Sequence, residues 1–465
     1  MPQPNILLIH SDQHRYDSLG CNGHPLLETP NIDRLAADGV NFRHAFTPSP
    51  ICSPARGSLI TGLWPTQHGC INIPGTESYR PMHQGLPNIF DLLNEAGYSV
   101  RYVGKFHKET EGPPTAYGVE EFIPQWDYGQ WRSEQGLPDR PRTNGWFGEV
   151  DPGIEPEESR LAWGADHAIR MMEQSVGTDR PFLVRWDPSE PHLPCVVPEP
   201  YNSMYPPETV PQWPSFPDSL EGKPYVQRLQ PRRWGIDDWT WEDWAPVVSR
   251  YLGEIALLDA QVGRLLEALD RLGVAEDTLV IYTTDHGDFC GGHGMMDKHF
   301  AGYDDIMRVP LAIRFPGRLP EGAECEHFVS HSIDLATTIC AAAGLEVPDT
   351  FEGQNLFDLA NGREQSPRED IFSMYQGCQM GLWSTRMVRD ARYKLIYHAT
   401  GRPEFYDLEE DPGELLNLAG DPSISDEMTR LKTRLIHWME QISDPLLNPW
   451  TRRHITDCLP PQSSS

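Results

Sequence analysis

Runs long and apolar enough to cross a bilayer are missing from this chain: none approaches the about 20 residues that a spanning helix needs, so no membrane partner is expected. Basic residues are scarce. Against 68 Asp and Glu stand 38 Lys and Arg, a formal charge of −30. That balance argues against binding nucleic acid or an anionic lipid surface through the general exterior. A site for an anion must therefore carry its own cluster of cations. The nine cysteines include no C-x-x-C pair, which argues against a zinc site of that kind. Their odd number fits no regular disulfide framework, and most read as small buried hydrophobes. There is no internal repeat, and low complexity is confined to Ser463-Ser464-Ser465. The opening Met1-Pro2-Gln3-Pro4 has none of the basic segment, long apolar segment or cleavage site of a secretory leader, so a cytoplasmic location is expected.

What is present is a globular composition. The 465 residues are 38% hydrophobic and include 14 Trp, 16 Tyr and 16 Phe, enough for a large buried core. Asn5-Ile6-Leu7-Leu8-Ile9 is an apolar run suited to a central parallel strand buried on both faces. Thr29-Pro30-Asn31-Ile32-Asp33-Arg34-Leu35 reads as a cap, a proline at the first helical position, and a helix. Further helices are predicted near Pro54 and over residues 89–96, 160–174, 247–272 and 333–343, with strands over 99–104, 181–186, 278–283 and 309–315. This alternation predicts an α/β fold, a mostly parallel central sheet flanked by helices, over residues 1–365. Strand-like pieces at 386–389, 393–398 and 404–408, then a helix over 426–442, predict a smaller C-terminal α+β unit with an antiparallel sheet over 366–465. The stretches 111–158 and 193–245 lack clear periodicity and read as lids or binding walls.

The chemistry concentrates at Ile51-Cys52-Ser53-Pro54-Ala55-Arg56-Gly57-Ser58-Leu59. Cys52 stands just ahead of a proline-initiated helix, where free backbone N–H groups and the helix dipole favour an anion and lower a thiol pKa. An isolated Cys-x-Pro would be read as a capped helix start with a buried thiol. Asp12 follows the first strand and Asp285 follows the strand over 278–283, so both carboxylates can meet at one sheet edge, where ligands of open α/β sheets gather.

The string Cys52-Ser53-Pro54-Ala55-Arg56 fits the signature Cys-x-Pro-x-Arg. Pro4-Asn5-Ile6-Leu7 with Asp12-Gln13, the Thr29 to Ala36 segment, Gly104-Lys105-Phe106-His107, Thr284-Asp285-His286-Gly287-Asp288 and Tyr406-Asp407-Leu408 follow in the same family's order. With these motifs the chain resembles the type I sulfatases, the formylglycine-dependent branch of the alkaline phosphatase-like superfamily, along nearly its whole length. The resemblance implies that Cys52 is oxidised to an aldehyde, formylglycine, by a formylglycine-generating enzyme, a partner during maturation. It implies one divalent metal held by Asp12, Gln13, Asp285, His286 and the modified Cys52: Ca²⁺ first, with Mn²⁺ or Mg²⁺ as alternatives. It implies further that Arg56 holds or orients the formylglycine, that Lys105 and Lys298 bind sulfate, and that His107 orients the hydrated aldehyde or takes its proton. His192 is then placed near the leaving-group oxygen. Two departures bear on the metal: Gln13 stands where the family often has Asp, and His286 where it often has Asn. Imidazole suits Mn²⁺ or Zn²⁺ better than Ca²⁺.

The reaction this implies is hydrolysis of a sulfate monoester. A hydrated aldehyde carries two hydroxyls on one carbon; one attacks sulfur, and loss of the other's proton re-forms the carbonyl and expels sulfate. Phosphonate monoester or phosphodiester hydrolysis by the same machinery is the alternative, and a non-catalytic binding protein on the same scaffold is a remote one. Trp126, Trp131, Trp146, Trp213, Trp234, Trp239, Trp241 and Trp244 in the irregular stretches either stack on a sugar or aryl group or anchor those loops to the core. A small sulfated saccharide or aryl sulfate is expected in preference to a long polyanion, given the charge of −30. A homo-oligomer is compatible with the sequence.

Overall fold

A computed structural model describes residues 3–76, 78–141, 146–364, 366–377 and 379–457. The outer ends of the expected division (1 and 465), its internal end at 365, and the Ser463-Ser464-Ser465 tail lie outside the described residues. The described residues form fourteen strands: β1 (Asn5–Ser11), β2 (Val40–Phe46), β3 (Ser99–Gly104), β4 (Glu121–Pro124), β5 (Glu149–Val150), β6 (Phe182–Asp187), β7 (Val196–Val197), β8 (Thr278–Thr284), β9 (Leu311–Arg314), β10 (Ala323–Ser330), β11 (Ile371–Gln376), β12 (Ser384–Arg389), β13 (Tyr393–His398) and β14 (Glu404–Asp407). Eight of them make one sheet in the order β10-β2-β9-β8-β1-β6-β3-β4. Every pairing in it is parallel except those of β9, which runs antiparallel to β2 and β8.

Alternation along β1 builds the two layers around this sheet. Ile6 and Leu8 face the helices Cys52–Thr61, Ile89–Glu95 and His331–Ala342 through Leu59, Phe90 and Ile339. Leu7 and Ile9 face the helices Pro30–Ala37, Arg160–Val176 and Trp241–Leu272 through Leu35, Met171 and Leu265. Buried on both faces, β1 needs the unbroken apolar run that the sequence shows.

The second sheet, β11-β12-β13-β14, is an antiparallel meander, as the strand-like pieces predicted. The helix Ser425–Gln441 covers one face, with Leu431, Leu435 and Trp438 packed on Val388, Leu395 and Phe405. The other face meets the main body, with Tyr375, Met387 and Ile396 against Phe300 and Ile306. Glu404 pins this junction. Fully buried, it accepts hydrogen bonds from His398 Nε2 (2.7 Å), Tyr406 OH (2.6 Å), Gln227 Nε2 (3.1 Å) and Tyr303 OH.

Several elements escaped the sequence reading. The strand expected over 309–315 is the shorter, antiparallel β9. The edge strand β10 carries Glu324, Glu326 and His327 and a register shift between Cys325 and Phe328, features that protect an open edge and hide it from an apolar-pattern reading. The long helix starts at Trp241 rather than near Val247, because Thr240 and Asp243 form its capping box. The stretch 193–245 also holds the helix Tyr225–Trp234, and 111–158 holds β4 and the helix Asp127–Glu134.

The Glu404 network makes the docking of the small sheet sensitive to acid. Burial opposes its charge, but His398 and Lys223 outweigh burial and lower its pKa from 4.5 to about 2. A depressed carboxylate stabilises the fold above its unfolded value and loses that contribution as pH falls through the folded one. Glu404→Gln is therefore expected to lower unfolding free energy near neutral pH by about 3 kcal/mol, with the gap closing as pH falls from 4.5 to about 2. Denaturant titrations of both proteins across that range check it; a gap independent of pH would contradict the assignment.

Candidate active site

Four neighbouring parallel strands deliver their following residues to one edge of the large sheet. In the order β8-β1-β6-β3 these are Asp285 with His286, Asp12 with Gln13, Asp187 as the last residue of β6, and Lys105. The register Ser11↔Thr284 sets Asp12 beside Asp285, and Gly104↔Asp187 sets Lys105 beside β6. Gly104 is required there: its φ is 120°, and a Cβ would stand 2.0 Å from the Asp187 carbonyl oxygen. The helix Cys52–Thr61 begins on the same edge, and all ten of its residues are buried.

The Cys52 Sγ lies 3.3 Å from His286 Nε2, 3.8 Å from Asp12 Oδ1 and 3.5 Å from Lys105 Nζ. Lys105 Nζ also pairs with Asp12 Oδ2 at 2.6 Å. Lys298 donates to Gln13 Oε1 and meets His192 Nε2 at 2.8 Å, and Asp297 Oδ1 stands 3.2 Å from its ammonium. Left-handed backbone at Gln13 (φ 64°), Asp297 (φ 67°) and His299 (φ 101°) turns these side chains inward. Such strain in non-glycine residues concentrates at functional sites.

Arg56 does not face Cys52 directly. Its fully buried guanidinium gives Nε to Asp285 Oδ2 (2.9 Å), Nη1 to Asp187 Oδ2 (2.5 Å) and Nη2 to Asp12 Oδ2 (2.8 Å). Three carboxylates thus take the three sides of one planar cation.

The charge balance follows from burial. Burial opposes ionisation of Cys52, but Lys105, Lys298 and His286 hold its thiol well below the ordinary range. Burial and the sulfur also oppose charge on Asp12, where Lys105, His192 and Arg56 prevail and hold the carboxyl well below its usual range. Asp285 goes the other way, pushed up to about 7 by burial and by Asp12. Burial and the Lys298 and Lys105 ammoniums lower His192, which is therefore neutral near pH 7.

These groups fit a divalent cation. One ligand atom from each of Asp12, Cys52, Asp285 and His286 lies within 4.8 Å of the others. His286 Nδ1 is 2.9 Å from the Gly287 carbonyl, so the ring donates from Nδ1 and leaves Nε2 to ligate. Burial disfavours a charged His286, yet Asp285 and Cys52 raise its pKa. The negative charge that draws a proton to Nε2 would draw a metal instead.

The structure brings the sequence-predicted residues Asp12, Gln13, Cys52, Arg56, Lys105, His107, His192, Asp285, His286 and Lys298 into this one pocket. His107 lies near enough to Cys52 to help lower its thiol pKa, and its Nδ1 has no partner among the described residues. Gln13 gives its amide nitrogen to Asp288 Oδ2 (2.6 Å) while its oxygen serves Lys298, so ligation would take that oxygen from the lysine. Asp187, Asp288 and Asp297 were missed. Asp187 had a signal: with Arg185 it interrupts an otherwise apolar strand, and charges buried in a central strand imply pairing.

Known proteins resemble this chain along most of its length. The sulfatase family model matches residues 4–345, and that for the C-terminal part of N-sulphoglucosamine sulphohydrolase matches residues 291–441. The uncharacterized sulfatase YidJ of Escherichia coli is 29% identical over 97% of this chain and 91% of its own. An arylsulfatase of Clostridium perfringens is 28% identical over 94% of this chain and 95% of its own. The crystal structure of the phosphonate monoester hydrolase of Agrobacterium radiobacter superposes with a TM-score of 0.83 at 28% identity, covering 95% of this chain and 96% of that one. Matched over most of its length and carrying this pocket, the chain belongs to the sulfatase family.

Proposed function

We propose that this sulfatase hydrolyses the sulfate monoester of a small ring-bearing alcohol, an aryl sulfate or a sulfated saccharide unit, after maturation of Cys52 to formylglycine. The observation that carries the reading is the Cys52 side chain itself, held at a helix start between Lys105, His286 and Asp12. Matured and hydrated, position 52 supplies paired hydroxyls, one to attack sulfur and one whose deprotonation releases sulfate. Asp12, Asp285, His286 and the oxidised position 52 would hold a divalent cation that lowers the nucleophile's pKa and draws charge from the sulfuryl oxygens. Oxygen donors would predominate in that set, which favours Ca²⁺, and the imidazole makes Mn²⁺ its competitor.

The other residues divide the remaining work. Lys105 and Lys298 both supply fixed positive charge that acts at Cys52, where the sulfuryl oxygens would carry their charge. His192 donates from Nδ1 to the Leu193 carbonyl (2.6 Å), which turns its Nε2 lone pair toward Lys298. Of the two, Lys298 therefore holds the proton for the leaving oxygen. Above this pair stands Trp146, 40% exposed, its ring centroid 5.9 Å from that of His192 and its edge against Trp234. It offers an aromatic face to the departing alcohol, whereas Trp213 and Trp244 are buried loop anchors.

A second reading, phosphonate monoester hydrolysis, is favoured by one feature: Gln13 and His286 make the cation-holding set less negative, and the overall fold is that of such an enzyme. Matched aryl sulfate and aryl phosphonate monoesters, assayed side by side, decide between the two. The sulfate is expected to be turned over faster, and the reverse order would replace our assignment.

Two further outcomes are expected. Protein made with the formylglycine-generating enzyme should yield a Cys52 peptide lighter by about 18 Da and an active hydrolase, and Cys52→Ala should lose about 1,000-fold or more in kcat/KM. Full activity with an unshifted mass would point to the thiol as nucleophile. Trp146→Ala should raise KM for an aryl sulfate about 5- to 10-fold while leaving a small alkyl sulfate unchanged. Steady-state kinetics on both substrates measure this; equal losses would remove Trp146 from the leaving-group site.

A further inference from the structure

We propose that Asp187 is a positioning residue of this centre: it locks the Arg56 guanidinium against the two cation-holding carboxylates and fixes Lys105 through the backbone. The inference rests on the sulfatase reading of the pocket and adds a third acid to it.

Asp187 is completely buried, and its carboxylate gathers three basic side chains. Oδ2 accepts from Arg56 Nη1 (2.5 Å) and Arg185 Nη2 (2.6 Å) and stands 3.3 Å from His10 Nδ1. Oδ1 accepts from Arg185 Nε (2.7 Å). Its backbone carbonyl takes the Lys105 N–H at 2.7 Å, the contact for which residue 104 must be glycine. Of the three acids around Arg56, Asp12 and Asp285 belong to the cluster that can hold a metal, and Asp187 does not.

That difference defines its task. Arg56 has one hydrogen-bonding side for each acid, so Asp187 decides where the other two sides point. With an amide at 187, the Nη1 end would lose its anion, Arg185 would stay buried without a carboxylate, and the centre would gain positive charge. Both changes act on Asp12 and Asp285 and through them on cation affinity. Arg185 is held in turn under the ring of Tyr102 (4.7 Å), whose hydroxyl donates to the Lys105 carbonyl. A single buried network thus spans β1, β3, β6 and the Cys52 helix.

The test is Asp187→Asn, with Asp187→Glu as the charge-keeping variant. Two quantities are read: Ca²⁺ affinity by calorimetry on metal-stripped protein, and kcat and KM on an aryl sulfate. Circular dichroism confirms the fold. We expect Asp187→Asn to weaken Ca²⁺ binding and lower kcat, each about 10- to 100-fold, with KM within about threefold. Asp187→Glu should recover part of both. Wild-type affinity and kcat in Asp187→Asn would overturn the proposal. If Asp187→Asn does not fold, Asp187→Glu is read alone, and wild-type values in it overturn the proposal equally. A wild-type protein that neither binds the cation nor cleaves the sulfate would instead refute the reading on which the proposal rests.

Discussion

One guanidinium among three buried carboxylates organises this molecule. Arg56 and its partners Asp12, Asp187 and Asp285 are all inaccessible to solvent. Burying an ion costs several kcal/mol even after relaxation, and a unit pair about 4 Å apart at an effective dielectric near 20 returns about 4 kcal/mol. One cation cannot offset three such anions. Lys105 on Asp12 and Arg185 on Asp187 supply part of the remainder. Asp285 has the His286 imidazole, with Nε2 3.6 Å from its Oδ1, in place of a second fixed cation, and burial beside Asp12 pushes it up to about 7. The deficit lies next to Cys52 and His286, on the side where a divalent ion fits.

The sheet makes this arrangement affordable. Adjacent parallel strands end at one edge, so each needs to contribute only one or two residues there for a dense site to form. The lever is short and stiff: the Asp12, Asp187 and Asp285 carboxylates lie within a residue of a strand end, and the strands are packed on both faces. Lys298 reaches the pocket from an irregular segment instead, and there strained φ values at Asp297 and His299 supply the aim that a strand provides elsewhere. The Cys52 helix contributes the proposed nucleophile and the organising arginine one turn apart, which is why the spacing Cys-x-Pro-x-Arg has mechanical meaning.

Much of this was legible in the sequence, because an apolar run and the polar residues just beyond it are local features. The run Asn5 to Ile9 announced β1 and with it the place of Asp12; the run before Asp285 did the same for β8. Elements stabilised by tertiary contact were not legible. β10, a charged edge strand, was not read at all, and β9 was read as a strand but not as a short antiparallel insertion between two parallel neighbours. Arg56 was read as holding or orienting the side chain at position 52, and the structure adds that all three sides of its guanidinium meet acids. No spacing rule places Asp187 against Arg56, since 131 residues separate them and only the crossover topology joins them. Asp187 and Arg185 were visible only as an anomaly, two charges in a strand that should be apolar.

The overall charge of −30 and the anionic substrate are reconciled by distance. Exposed carboxylates are screened over about 8–10 Å at ordinary ionic strength, whereas Lys105 and Lys298 act at contact range in a pocket from which water is largely excluded. On the proposed reading the exterior governs how often an anion arrives and disfavours large polyanions, and the interior governs what happens to a sulfuryl group once inside. Because the cations are fixed by buried acids rather than by solvent, in the proposed reaction their positive ends need not reorganise as charge builds on the leaving ester oxygen. In this family member the acids that look surplus to catalysis are what hold its cations still.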